Sequence, residues 1–218
     1  MTDIPEHDSD STKSSLYTQA RAMPWRVSNE LRRILVLPYI RIAFAYHGIR
    51  YGRGWRILGM PRIQRHRGST MVFGDDLCLR SWPATNPLTP NHAVTLSTRS
   101  ADAHLRVGAD CGFTGAVVVA ETEVSIGDRV QVGANTTIAD TDFHPLHSEE
   151  RQRDMSAGIS RPIVIEDDVF VGMNSLILKG VRVGAGSVVG AGSVVSKDVP
   201  SGTIVAGNPA RVVRTIDS

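Results

Sequence analysis

Aliphatic residues recur at every sixth position through the second half of the chain: Ile126, Val132 and Ile138, then, after a gap, Ile165, Val171, Ile177, Val183, Val189 and Val195. All nine are Ile or Val, and five are followed directly by glycine: Gly127, Gly133, Gly172, Gly184 and Gly190. Four positions after the aliphatic residue stands something small or β-branched: Val130, Thr136, Val169, Ser175, Val181, Ser187, Ser193 and Val199. A period of six fits neither a helix, at about 3.6, nor an alternating strand, at about 2. It fits a coil of three short flat sides, about eighteen residues to the turn, with each aliphatic side chain stacked on its equivalent one coil later. Successive coils then pair as parallel strands about 4.8 Å apart. Glycine supplies positive φ where the chain turns between sides. The spacing predicts an all-β, parallel β-helix and does not by itself fix the hand.

The pattern extends backwards less cleanly. Leu105, Val107-Gly108, Phe113, Val117 to Val119 and Val124 read as an earlier coil with extra residues absorbed, and Met71 to Leu79 as another rung. The Pro- and Asn-containing stretch from Ser81 to His92 reads as a loop. Before that the periodicity is helical: Leu31, Ile34, Leu35, Ile42 and Ala45 predict a helix from Glu30, capped by Ser28 or Asn29 and interrupted or kinked at Pro38. The expected division is a disordered tail over 1–24, a helical and connecting segment over 25–70, and the β-helix over 71–218 with a protruding loop over 144–162.

Composition removes several function classes. A net charge of +2 on 218 residues argues against general nucleic-acid binding, which needs a strong basic excess on one face. The two cysteines, Cys78 and Cys111, form neither a disulfide framework nor a paired CxxC zinc motif, and the expectation is that both pack as small hydrophobes. The polar, acidic start of the chain lacks a basic-then-apolar secretory pattern, so the protein is expected in the cytoplasm. The apolar run from Ile34 to Tyr46 contains Arg41 and is too short to cross a bilayer. With Arg32 and Arg33 beside it, this segment either rests on a membrane surface as a peripheral contact, at its inner face, or packs against the end of the β-helix.

Chemistry concentrates where the hexads lapse, between Phe143 and Pro162. The last hexad before the gap ends in Asp142, at a position where the others carry small or aliphatic residues, and His144 follows at once. A carboxylate there requires a partner, either His144 or a backbone donor of the loop. In the first case it orients an imidazole that acts as a general base near neutral pH. In the second it caps a turn beside a surface histidine.

The segment DTDFHPL, the loop after it, and the run from Ile165 to the terminal AGNPARVVR resemble the hexapeptide-repeat acyltransferases. The likeness covers roughly Leu105 to Arg214 and extends to the maltose and galactoside acetyltransferases and, above all, the O-acetyltransferases of bacterial polysaccharide synthesis. It implies a left-handed β-helix, a homotrimer, and sites in grooves between subunits. It implies an O-acetyltransferase that uses acetyl-CoA and no metal, with His144 as general base, Asp142 orienting it, and the hydroxyl of a saccharide or glycan precursor attacking the thioester directly. Backbone groups near Met173 and Ala191 would meet the pantetheine arm of CoA, and Ser196, Lys197, Arg211 and Arg214 its phosphate-bearing end. Met173 stands where the small sugar acetyltransferases tend to carry serine, which puts a side-chain hydrogen bond to pantetheine in doubt but not a backbone one. Asp140, His147, Trp82 and Asn86, with His92 beside them, are candidates for the acceptor side. For His147 the plainer reading is a loop surface residue, and for Trp82, Asn86 and His92 it is packing.

Three rival readings stay open on the sequence. An N-acetyltransferase acting on an amino sugar would use the same base and donor groove. A β-helical carbonic anhydrase would need zinc on His104, His144 and His147, a spacing that nothing supports. A non-catalytic scaffold would need neither His144 nor the basic C-terminal residues.

Overall fold

The computed structural model describes residues 21–216. It forms a left-handed parallel β-helix whose three faces are three parallel sheets. The strands are numbered in chain order. The first face stacks β1 (Arg56–Leu58), β4 (Cys78–Arg80), β7 (Gly112–Thr114), β10 (Gln131–Val132), β13 (Phe170–Val171), β16 (Val188–Val189) and β18 (Thr203–Gly207). The second stacks β2 (Arg62–Arg65), β5 (Thr95–Thr98), β8 (Val117–Ala120), β11 (Thr137–Ala139), β14 (Leu176–Ile177) and β17 (Val194–Val195). The third stacks β3 (Thr70–Phe73), β6 (His104–Val107), β9 (Glu123–Ile126), β12 (Ile163–Ile165) and β15 (Arg182–Val183). The last strand, β19 (Ala210–Thr215), folds back antiparallel on β18 and closes that edge.

The nine periodic aliphatic residues all face inward and are at most 3% exposed. They stack in the expected register: Val132 on Val171 on Val189, and Ile138 on Ile177 on Val195. Burying each contributes about 1.5–3 kcal/mol, and because every coil repeats the stack, the core runs the length of the prism. The small residues four positions on occupy the corners. Thr136 Oγ1 donates to the Gly172 carbonyl (2.9 Å) and Ser175 Oγ to that of Gly190 (3.2 Å), so buried hydroxyls there satisfy corner carbonyls one coil later.

The β-helix begins at Arg56, well before the expected Met71. The early coils were hidden by their uneven lengths. Ile57 pairs with Leu79, 22 positions on, and Leu79 with Phe113, 34 on, whereas Val171 and Val189 are 18 apart. The 34-residue coil contains the loop from Ser81 to Val94, with a 3-10 turn over Pro83–Thr85.

The helical segment also departs from expectation. Helix α1 spans Pro24–Tyr46, with Met23 at its N-cap and Pro24 in its first turn, where a missing N–H costs nothing. Asn29 is therefore inside the helix and buried, donating through Nδ2 to the Ala84 carbonyl (2.9 Å). Pro38 does not end the helix. It lies on the exposed side, as does Ile34 four residues back, whose carbonyl Pro38 leaves without its helical donor. Ile40 and Phe44 are fully buried and plug the first coil together with Trp55. Of the expected tail over 1–24, residues 1–20 lie outside the described residues.

Candidate active site

The excursion after β11 is anchored by a buried carboxylate. Asp140 is fully buried and accepts from the backbone N–H of Glu121 (2.6 Å), Thr122 (2.7 Å) and Glu123 (2.8 Å) and from Thr122 Oγ1 (2.8 Å). Asp140 was expected to contact the acceptor. Instead it is fully buried on the four donors of the turn below, one on Oδ1 and three on Oδ2, and it fastens the base of the loop. The two limbs then pair antiparallel: Thr141 bridges Ser160, Asp142 N–H donates to Ile159 (3.0 Å) and Arg161 N–H to Asp140 (2.8 Å). Between them lies the short helix α2 (Ser148–Arg153), with His147 as its exposed N-cap residue.

His144 is presented by a strained turn. Its N–H donates to the carbonyl of Asp142, two residues back (2.7 Å), and Phe143 between them has φ +63°. This is a three-residue turn with a non-glycine residue at positive φ, a conformation that costs energy and persists only when its surroundings hold it. Three contacts do so. Lys179 Nζ donates to Asp142 Oδ1 (2.6 Å), both side chains being about one-fifth exposed. The Arg99 guanidinium lies over the Phe143 ring. Gly158 passes so close that a Cβ there would fall 2.8 Å from His144 N and 2.7 Å from the Phe143 carbonyl carbon.

The His144 ring is held by the backbone and not by Asp142. Its Nδ1 lies 2.6 Å from the Met155 carbonyl oxygen. A carbonyl only accepts, so Nδ1 carries the hydrogen, and in the neutral ring Nε2 has the lone pair. Asp142, expected to orient the imidazole, is paired with Lys179, and its second oxygen is buried without a partner among the described residues. What orients the His144 ring is the Met155 carbonyl, and Asp142 and Lys179 act one step back, on the turn.

Lys179, Met155 and Gly158 escaped the sequence reading. Lys179 was findable: Ile138 pairs with Ile177, so Lys179 stands one coil above Asp140. The 21 residues inserted between them break the count. Met155 and Gly158 carry no periodic signal.

The expected donor residues divide between edges of the prism. Met173 and Ala191 stack at the edge between the first and second faces, where Gly192 N–H donates to the Met173 carbonyl (2.8 Å). Asn135 (φ +60°), Asn174 (φ +56°) and Gly192 (φ +70°) make the successive turns of that edge. Arg211 lies close by, pairing with Ala206, whose Cβ would be 3.0 Å from one on Gly190. Arg214 lies further along β19, opposite Ile204. Ser196 and Lys197 are exposed at the edge between the second and third faces, one coil above Lys179 and on the same edge as the His144 loop.

The acceptor candidates from the early loop sit on the Met173 edge. Asn91 N–H donates to Asn135 Oδ1 (3.0 Å), which lays the loop along it. Trp82 packs over Gly59, and Asn86 Oδ1 accepts from Leu88 N–H (2.9 Å) in a local turn, while His92 is exposed. In one chain, then, Trp82, Asn86, Met173 and Ala191 share one edge, and His144 and Lys197 another. Among the described residues of one chain, no three His, Cys, Asp or Glu side chains converge as metal ligands.

Residues 162–197 match the family model described as the hexapeptide repeat of succinyl-transferase. The chain therefore carries the hexapeptide repeat, and the proteins it is similar to are acetyltransferases. It is 39% identical over 100 residues to a galactoside O-acetyltransferase of Lactococcus lactis, which covers 46% of this chain and 47% of the relative. It is 44% identical over 88 residues to a 2,3,4,5-tetrahydropyridine-2,6-dicarboxylate N-acetyltransferase of Staphylococcus aureus, covering 40% of this chain and 31% of that one. The crystal structure of a hexapeptide-repeat acetyltransferase from Vibrio cholerae superposes with a TM-score of 0.54 at 26% identity, covering 92% of this chain and 90% of that chain. The chain spans less than half the length of the curated relatives it matches.

Proposed function

We propose that the protein is an acetyl-CoA-dependent O-acetyltransferase that acts as a homotrimer on a hydroxyl of a saccharide or glycan precursor in polysaccharide assembly. The observation that carries this reading is His144: a histidine on a strained turn, its Nδ1–H fixed to the Met155 carbonyl and its Nε2 left as the base.

The division of residues between two edges supports a site completed by a second copy. One protomer supplies His144, and its neighbour supplies the edge of Met173, Ala191 and the early loop. The exposed apolar side chains of the His144 loop, Leu146, Met155 and Ile159, are what such a contact would cover. Between the copies, His144 Nε2 removes the proton of the acceptor hydroxyl as its oxygen attacks the thioester carbonyl carbon. The tetrahedral oxyanion collapses, the C–S bond breaks, and the CoA sulfur takes the proton back from the imidazolium. A backbone N–H of the neighbouring edge would steady the oxyanion, and Lys197 and Arg211 would meet the phosphates of CoA. Because acetyl-CoA is a cytoplasmic metabolite, the reaction is placed in the cytoplasm.

The likeness to the S. aureus N-acetyltransferase favours a second reading, transfer to an amine, which the same base would serve. Hydroxyl and amino sugars offered in parallel with acetyl-CoA separate the two. In either case His144→Ala should lower kcat about 10²–10⁴-fold while the dissociation constant for CoA stays within about twofold. Turnover near that of the unmodified protein would remove His144 from the reaction.

A further inference from the structure

Helix α1 has two apolar faces, and the β-helix uses only one. Ile40 and Phe44 point inward and are fully buried. On the opposite side, Leu31, Leu35, Tyr39, Ile42 and Tyr46 form a stripe that is 58–80% exposed. A helix that merely capped the solenoid would turn polar residues outward. The stripe carries tyrosines, and Trp25, equally exposed, lies near the start of the helix. Such amphipathic rings favour the boundary between apolar and aqueous phases. No helix among the described residues is long and apolar enough to cross a membrane.

Charge identifies what the stripe meets. From Arg21 to Arg67 the sequence holds eleven arginines and a single acidic residue, Glu30. That carboxylate is already bonded to Arg33 and Arg56. At about 100° per residue, Arg32 and Arg41 fall on opposite flanks of the stripe, and both are exposed. A second copy of this face would set arginine against arginine with no carboxylate between them. An anionic lipid surface would instead receive the apolar stripe into its acyl boundary and pair the flanking guanidinium groups with phosphates.

We infer that α1 is an interfacial anchor, which lays its outward stripe on an anionic phospholipid surface with its axis in the membrane plane. This goes beyond the acyl-transfer reading and stands independently of it, because membrane binding requires neither CoA nor an acceptor.

The test is co-sedimentation of the full-length protein with vesicles of phosphatidylcholine alone and of phosphatidylcholine with about 30% phosphatidylglycerol. The expected result is partition at least about tenfold stronger to the anionic vesicles, weakened by salt. Ile42→Glu should abolish it. The double variant Arg32→Ser, Arg41→Ser should weaken it by about tenfold or more at low salt. All three side chains are solvent-exposed, and Arg41 lies over the Tyr51 ring, so circular dichroism should not change and the melting temperature should fall by a few degrees at most. Wild-type protein left in the supernatant with both vesicles, or Ile42→Glu binding as strongly as wild type, would overturn the inference. So would a smaller assembly for Ile42→Glu in sedimentation velocity without lipid, which would make the stripe a contact between copies.

Discussion

The proton on His144 Nδ1 is assigned by a single backbone carbonyl, that of Met155, and the turn behind it by Gly158, Lys179 and Arg99. This arrangement makes Gly158 the most sensitive neighbour. Gly158→Ala would drive a Cβ into the backbone of Phe143 and His144, atoms that cannot swing aside. We expect it to lower kcat by about tenfold or more, since small misplacements of a reacting group are costly, while the melting temperature moves by only a few degrees. Unchanged kinetics would mean that the turn tolerates the shift. Cys111 behaves as the sequence suggested. It is buried, and burial first of all pushes its thiol up to about 11. At pH 8 its alkylation in the native protein should be slower than that of a free thiol by about a hundredfold or more, rising with pH as the thiolate forms; labelling at the free-thiol rate would contradict the burial. His144 was legible because it follows the last regular hexad. Its true partner was not, because the Met155 carbonyl is backbone and any residue type could supply it. Asp142 looked like that partner, being two residues away in sequence, but the turn at Phe143 leaves its carboxylate on Lys179.

At the scale of elements, the loop is held by its neck more than by its interior. Asp140 gathers four donors from the turn at Glu121 to Glu123 and, being fully buried, presents neither oxygen at the surface. Asp140→Ala would orphan these donors at a buried site, and the expected loss of stability is about 3 kcal/mol or more, measured by denaturant unfolding. A loss under about 0.5 kcal/mol would show that water replaces the carboxylate. Asp140 read as an acceptor contact because it shares the hexad of Asp142 beside the loop, and the turn that claims its carboxylate lies 17–19 residues earlier. The late coils were readable residue by residue because each adds 18. The early coils were not, since lengths of 22 and 34 erase the period. Helix α1 was visible by its spacing, but its start was placed too late: Pro24 is a better opening than any cap side chain downstream.

The described residues form a three-faced prism, and what it displays is set by which edge a residue occupies. The repeat fixes this without reference to chemistry. A residue 18 positions on stands directly above, and one six positions on stands on the next face. By that count Ala191 stands above Met173, whereas His144, in the loop that interrupts the count, occupies a different edge. That separation is why a second copy is needed to complete the proposed site. The account rests on donor binding at this composite groove. Its most direct test is calorimetric titration of the purified full-length protein with acetyl-CoA, which requires no knowledge of the acceptor. The account predicts saturable binding with about one donor per chain. No heat of binding to a folded, assembled protein would contradict it.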